Sequence, residues 1–367
     1  MIKVNSLINL LKKNNTNFFT GVPDSILKDF CSSLEYKNKK NHVIATNEGA
    51  AVSIGIGHYL STKNIPCIYM QNSGLSNALN PLISIAHEKV YSIPLILVIG
   101  WRGSPIFKDE PQHNVKGKIT ESILKLLNIN YTIVRNDTDL NKFDKQIKIA
   151  KKKNKIVACL IEQKTLQKVK IKNNFKDFYK LDKKIFLENL LKILPKSTKI
   201  VSSTGYNSRE LMYLRNKNKT RYSNDFYMVG GMGHTSSVAL GYSLFTKKKT
   251  ICIDGDGSFL MHLGSLKTAA TFANKNFKYI LLNNNCHDSV GGQSTFTSDI
   301  NFKKLSLGLG FDNYFCIDNQ INLEKKLKGF LSGKYLNFLE VKISKSKIKN
   351  LPRPKDLKKI KKLFMRN

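Results

Sequence analysis

Acidic side chains are scarce in this chain. Only 26 Asp and Glu stand against 61 Lys and Arg in 367 residues, a formal net charge of +35. Arginine is scarce too, so nearly all of that charge is lysine. Such an excess is the first mark of a nucleic-acid binder. Its distribution argues otherwise: the lysines run along the whole chain (28, 39, 40, 151–153, 247–249, 358–362) among many Asn and Ile, with no basic motif interleaved with aromatics. They are expected on solvated faces, with no nucleic-acid partner, in a field that draws in a small polyanion. Long apolar runs are also missing, since nothing approaches the roughly 18 apolar residues of a membrane helix. The amphipathic start, MIKVNSLINLLKKNN, has neither a long apolar core nor a cleavage site of the secretory kind. No membrane partner and a cytoplasmic location are therefore expected. The six cysteines form no C-x-x-C pair, and Cys67, Cys159 and Cys252 lie within apolar runs, which favours a reducing compartment over disulfides.

What is present is repeated β/α winding. Short apolar runs near 17–21, 42–45, 66–70, 94–100, 131–134 and 155–161 alternate with helical patterns at 4–14, 24–35, 49–61, 75–86, 117–128 and 139–152. Alternation of this kind predicts a parallel sheet. Residues 164–182, KTLQKVKIKNNFKDFYKLD, are lysine-rich without periodicity and read as a linker. Winding then resumes with helices at 183–194, 264–274, 302–309 and 320–332 and strands at 198–203, 250–253, 279–282, 313–317 and 337–343. The length fits two domains, here 1–163 and 183–367, the second ending in a basic tail. The expected fold class is α/β, with two doubly wound parallel sheets.

The loops carry the chemistry. The apolar run at 250–253 stops at Asp254-Gly255-Asp256-Gly257, and the one at 279–282 ends on Asn283-Asn284-Asn285. Two parallel strands joined by a helix bring both clusters to the carboxyl edge of the sheet, where open α/β sheets bind ligands. The Asp256 carboxylate, the Asn284 amide oxygen and a backbone carbonyl from the following loop make an all-oxygen set that suits Mg²⁺. Gly255 and Gly257 let the backbone approach an anion closely. In Gly21-Val22-Pro23-Asp24-Ser25, Asp24 and Ser25 hold capping positions, for function or simply as an N-cap. Glu48, in Asn47-Glu48-Gly49-Ala50-Ala51, precedes a helix of small residues whose N-terminus it favours electrostatically. Gln71-Asn72-Ser73-Gly74 is dense in uncharged hydrogen-bonding groups. Arg102, at a strand end beside the single tryptophan, points to bidentate anion geometry or to a structural ion pair. His113 is a candidate proton donor. Thr204 and Gly205 stand where a hydroxyl and an N–H could meet a phosphate at a helix start, unless Ser208 simply caps it.

GDG followed by NN, each at a strand end, resembles the thiamin diphosphate motif of the thiamin-dependent decarboxylase superfamily. Together GVPDS, NEGAA, YMQNSGLSNALNPL, IGWRG, KDEPQH, GDGSFLMHLGSL and NNNCHDSVGGQ resemble the phosphonopyruvate decarboxylase family, with sulfopyruvate decarboxylases as close kin. The resemblance runs from residue 18 or so to the tail, without the central domain of larger thiamin enzymes. This chain has WRGSP and HDSVGGQST where that family has WRGEP and HESVGGQPT, departures that spare the cofactor residues and touch the substrate region.

The resemblance implies a pyrimidine-binding domain (1–163) and a diphosphate-binding domain (183–367). It implies non-oxidative decarboxylation of 3-phosphonopyruvate to phosphonoacetaldehyde and CO₂; the alternative is a sulfopyruvate decarboxylase or a related decarboxylase or carboligase. Mg²⁺ on Asp256, Asn284 and the Cys286 carbonyl would anchor thiamin diphosphate, with Thr204, Gly205, Gly255, Gly257 and Ser258 around it. Glu48 would bond N1′ of the aminopyrimidine, Met232 would prop the cofactor into its bent shape, and the Gly230 carbonyl would accept from the 4′-amino group. Asp24 and His113 would handle protons. Arg102, Asp24, Ser25, Asn72 and Arg353 of the tail would meet a small anionic 2-oxo acid. In the superfamily the cofactor lies between the first domain of one subunit and the second domain of another, which implies a homodimer or homotetramer.

Overall fold

The computed structural model describes residues 1–37, 39–169, 177–218, 224–333, 335–348 and 350–366. The chain divides into two compact units, Met1–Asn174 and Phe175–Asn367. The first unit contains α1 (Val4–Lys13), β1 (Phe19–Gly21), α2 (Lys28–Lys37), β2 (His42–Ile44), α3 (Glu48–Thr62), β3 (Cys67–Gln71) and α4 (Leu75–Pro81). It continues with β4 (Ile96–Gly100), α5 (Pro111–Leu126), β5 (Asn130–Val134), α6 (Asp137–Lys153) and β6 (Val157–Ile161). The second unit begins with α7 (Lys183–Ile193), β7 (Lys199–Ser202), α8 (Tyr206–Lys217), β8 (Asp225–Tyr227), α9 (Thr235–Leu244), β9 (Thr250–Gly255), α10 (Asp256–Met261) and α11 (Leu263–Phe272). Then follow β10 (Phe277–Asn283), α12 (Phe302–Leu309), β11 (Asn313–Ile317), α13 (Leu323–Leu331), β12 (Asn337–Lys342) and α14 (Leu357–Met365).

The sheet orders are β2-β1-β3-β4-β6-β5 and β11-β12-β10-β9-β7-β8, and every pairing is parallel. Numbered within its own unit and read from the other edge, the second order becomes 2-1-3-4-6-5, the same as the first. Each unit is therefore one copy of a single architecture, α/β and doubly wound. The chain reverses its direction of winding between the first and third strands of each unit, and such a switch point is where open sheets take ligands. Strands β4 and β6 are buried throughout, as expected when helices cover both faces. Phe19, Tyr69, Val98 and Cys159 belong to the cluster on one face, and Ile68, Leu97, Ile99 and Leu160 to the cluster on the other.

Local signals explain the elements. Helix α6 buries Leu140, Phe143, Ile147 and Ala150 on one stripe, is capped by Asn136 Oδ1 accepting from Asp139 N (3.0 Å), and ends on three lysines before a left-handed Asn154. Helix α2 starts later than the pattern predicts. The Asp24 carboxylate accepts from the N–H groups of Ile26 and Leu27, both at 3.0 Å, and this turn delays the first helical residue to Lys28. Strand β8 is not foreseen by the pattern, because it is three residues long and carries a fully buried Asp225, matched by Arg215 at 2.8 Å.

Most lysines are solvated, but Lys183, Lys199 and Lys278 are buried. Each has oxygen partners: Glu210 at 2.9 Å for Lys183, the Phe364 and Arg366 carbonyls for Lys199, and the Tyr335 and Lys275 carbonyls for Lys278. Of the expected linker, residues 170–176 lie outside the described residues. On either side of them, Leu166 pairs with Ile2 in the first unit and Leu181 with Ile343 in the second. Among the described residues no helix is long and apolar enough to cross a membrane.

Candidate functional site

Both switch points carry polar residues picked out of the sequence. In the second unit, Leu281 and Leu282 of β10 stand in register with Asp254 and Gly255 of β9, so these strands end side by side. Asp256 follows at once as the first residue of α10 and is buried. Its Oδ1 accepts from Gly257 N (2.8 Å), and its Oδ2 from Cys286 N (3.1 Å), Thr295 Oγ1 (2.9 Å) and Thr297 Oγ1 (3.3 Å). Burial pushes its carboxyl up to about 6, against the pull of these donors. Asn284 Oδ1 accepts from the same Cys286 N at 3.2 Å, so the two side-chain oxygens converge on one N–H. The Cys286 carbonyl accepts from Asp288 N at 3.0 Å and keeps a second lone pair. This all-oxygen set suits a hard divalent cation.

Around it lies a glycine-lined cradle. Gly205 precedes α8 at φ 85°, and a Cβ there would sit 3.4 Å from Ser289 Oγ. A Cβ on Gly255 would sit 2.9 Å from Asn207 Nδ2 in the first turn of α8. The half-buried Thr204, the start of α8, the Gly255 turn and the Ser289 loop thus close on one another, and first-turn N–H groups suit a phosphate. Met232 lies between Gly231 and Gly233, both at positive φ. A Cβ on Gly257 would meet the Met232 methyl at 3.2 Å and the His287 ring at 2.9 Å, so these two side chains flank that glycine. Ser258 holds the methionine loop in place, its Oγ accepting from Gly233 N at 3.0 Å. Gly230, at the head of that loop, is half-buried. Arg209 of α8 donates to the carbonyls of Leu351 (2.6 Å) and Pro352 (3.3 Å), which brings the exposed Arg353 alongside α8.

In the first unit, Glu48 begins α3 behind an Asn47 cap and is buried. Its Oε2 accepts from Asn77 Nδ2 at 2.8 Å, and a Cβ on Gly74 would come within 2.2 Å of Oε1. The Lys116 ammonium faces it; burial lowers that lysine's pKa while the Glu48 charge raises it. Asp24 is buried against Gly100, and Oδ1 has no hydrogen-bond partner among the described residues. Burial pushes its carboxyl up to about 6, opposed by its backbone donors and by Arg102. Arg102 grips Asp109 with Nε (2.6 Å) and Nη2 and reaches Ser25 Oγ with Nη1 (3.2 Å). An ion pair within the chain, one of the two readings the sequence leaves open for Arg102, is present. Both Nδ2 protons of Asn72 are used, on the Arg102 carbonyl and Thr120 Oγ1 at 2.9 Å, and Oδ1 accepts from Arg102 N at 3.1 Å. His113 is held neutral, its pKa pushed down to about 4 by burial and the nearby Arg102, and its Nδ1 has no partner among the described residues. At neutral pH the ring is therefore unprotonated.

The sequence reading passed over Asp109, Thr295 and Thr297. The threonines carry no pattern in the sequence, because it is a left-handed Phe296 (φ 58°) between them that turns both hydroxyls toward Asp256 Oδ2. Asp109 gave none beyond its place in KDEPQH.

Residues 3–122 match the thiamine pyrophosphate enzyme N-terminal TPP binding domain, and residues 203–341 match the corresponding C-terminal TPP binding domain. The chain is similar to the phosphonopyruvate decarboxylase of Streptomyces viridochromogenes, 31% identical over 352 residues, covering 91% of this chain and 87% of that one. It is 29% identical to the phosphonopyruvate decarboxylase of Streptomyces hygroscopicus over 372 residues, covering 97% of this chain and 91% of that one. The sulfopyruvate decarboxylase subunit beta of Methanocaldococcus jannaschii is 37% identical over 134 residues, covering 36% of this chain and 68% of that one.

Proposed function

The chain belongs to the phosphonopyruvate decarboxylase family of thiamin diphosphate-dependent decarboxylases, and we propose that its own substrate is 3-phosphonopyruvate, converted to phosphonoacetaldehyde and CO₂ with Mg²⁺ as second cofactor. The observation that carries the substrate reading is likeness to two phosphonopyruvate decarboxylases through both units of the chain. Residues 1–163 are the pyrimidine-binding half, joined through 164–182 to the diphosphate-binding half, residues 183–367.

Thiamin diphosphate, when bound, supplies the electron sink that a 2-oxo acid lacks as it loses CO₂. Asp256, Asn284 and the Cys286 carbonyl hold the metal, and Thr204, Gly205, Gly255 and Gly257 receive the diphosphate. Glu48, clamped by Asn77 and Gly74, holds a proton at the aminopyrimidine. Met232 would prop the cofactor, the Gly230 carbonyl would accept a hydrogen bond from its amino group, and Ser258 fixes the loop that presents both. Asp24, with one oxygen unpartnered and a pKa near 6, suits a group that gives and takes a proton close to neutral pH. His113, near Arg102 and Asp109, is the second candidate for proton handling.

Because Asp109 fills the Arg102 fork, the phosphonate meets Arg102 through Nη1, next to Ser25 Oγ, with Asn72 fixing the arginine's backbone. Arg353 adds a second cation. The active unit is a homodimer or homotetramer in which Glu48 of one protomer completes the Asp256 half of another. The cytoplasm is the proposed compartment, in keeping with five free cysteines that are buried, Cys31, Cys67, Cys159, Cys252 and Cys286.

Sulfopyruvate is the second reading, favoured by the likeness to a sulfopyruvate decarboxylase subunit over part of the chain. Purified protein supplied with Mg²⁺ and thiamin diphosphate should release CO₂ faster from phosphonopyruvate than from sulfopyruvate; the reverse order rejects the substrate assignment. Glu48→Gln should abolish turnover while circular dichroism stays native.

A further inference from the structure

The proposed metal ligands come from two loops, Asp256 from the start of α10 and Asn284 and Cys286 from beyond β10. A third segment, residues 294–298, spans them. Its Thr297 is fully buried, and Oγ1 lies 2.9 Å from Asn283 Oδ1, 3.2 Å from Asn285 Oδ1, 3.3 Å from Asp256 Oδ2 and 3.0 Å from Thr295 Oγ1. A hydroxyl has one proton to donate, and three of these neighbours can only accept. Thr295 gives its own proton to Asp256 Oδ2 at 2.9 Å. The acceptor nearest Thr297, Asn283 Oδ1, is immobilised from behind: Asn283 Nδ2 donates to Glu340 Oε1 (2.9 Å), and Glu340 Oε2 accepts from Tyr314 OH (2.5 Å). A continuous brace thus runs from Tyr314 on β11 through Glu340 on β12 and Asn283 on β10 to Thr297, whose one proton is shared between Asn283 Oδ1 at 2.9 Å and Asp256 Oδ2 at 3.3 Å.

We propose that Thr297 is a positioning residue that sets the separation between the Asp256 carboxylate and the Asn284–Cys286 loop, so that affinity for the divalent ion depends on a hydroxyl outside the ligand set. The proposal rests on the metal reading above. Groups that orient metal ligands without touching the ion typically carry about 10–100-fold in affinity.

The test is Mn²⁺ binding to the full chain with thiamin diphosphate present, followed by the electron paramagnetic resonance signal of the free ion. Thr297→Val, which keeps the shape and removes the hydroxyl, should bind Mn²⁺ roughly 10–100-fold more weakly. Thr297→Ser should restore wild-type binding. Should the valine variant not fold, Tyr314→Phe, at the far end of the brace, should weaken Mn²⁺ in the same direction, and unchanged affinity in that variant overturns the proposal. Wild-type affinity in a folded Thr297→Val protein overturns the proposal, even if its thermal midpoint falls, because the hydroxyl is then structural only. So does a serine variant as weak as the valine one. Absence of Mn²⁺ binding by the wild type defeats the metal reading itself; retention by Thr297→Val defeats only this inference.

Discussion

Replacing Gly74 by alanine tests whether the placement of Glu48 governs turnover. Gly74 lies at φ −83° and ψ −10°, which alanine adopts without strain, so the backbone has no reason to move. The added methyl would lie 2.2 Å from Glu48 Oε1, 2.3 Å from Cδ and 2.4 Å from Cγ. Ordinary non-bonded contact requires about 3.5 Å, so the carboxylate must retreat by roughly 1 Å. It cannot do so freely, because Oε2 is tied to Asn77 Nδ2 at 2.8 Å and a hydrogen bond to a charged group is worth about 1.5–3 kcal/mol. A displacement of about 1 Å in a group that must meet a reacting partner costs on the order of 100-fold in rate. At about 1.36 kcal/mol per decade this is ~2.7 kcal/mol of barrier. The assay is the initial rate of CO₂ release at saturating metal and cofactor, with urea unfolding in parallel, where overpacking should cost about 1–3 kcal/mol of stability. The reasoning is refuted if the folded Gly74→Ala protein turns over as fast as wild type.

Two stability measurements probe the frame around the site. Burial pushes the His42 ring from its ordinary 6.5 down to about 4, while its Nε2 meets Tyr69 OH at 2.7 Å. Below pH 6.5 the unfolded chain binds a proton that the folded chain refuses until about pH 4, so stability falls as pH drops through that window, by up to about 1.4 kcal/mol per unit. Urea midpoints at pH 7 and pH 5 should therefore diverge more for wild type than for His42→Gln, and equal losses would contradict the assignment. In the tail, Phe364 is 7% exposed against Phe226 and Tyr242, and its carbonyl takes a 2.7 Å bond from buried Lys199. Phe364→Ala should cost about 3–5 kcal/mol in urea unfolding, whereas a solvated basic tail would cost almost nothing.

Much of this protein is encoded in neighbouring residues. Runs of β-forming residues ending in Gly, Asp and Asn, separated by helical periodicity, fix parallel winding, and parallel winding delivers every strand's carboxyl end to one edge. Asp24, Asn72, Arg102, Thr204, Asp256 and Asn284 could therefore be placed at two such edges before any contact was known, because handedness and topology do not depend on side-chain detail. Partner choice does depend on it. That Arg102 closes on Asp109, that Asn72 braces Arg102 from 30 residues away, and that Asp24 is buried against Gly100 follow from which segments meet in the fold. Burial of three lysines and the brace from Tyr314 to Thr297 have the same origin. Periodicity is a property of a segment, whereas desolvation and hydrogen-bond competition belong to the packed interior, so only tertiary structure decides which polar groups are spent on the fold and which are left for chemistry.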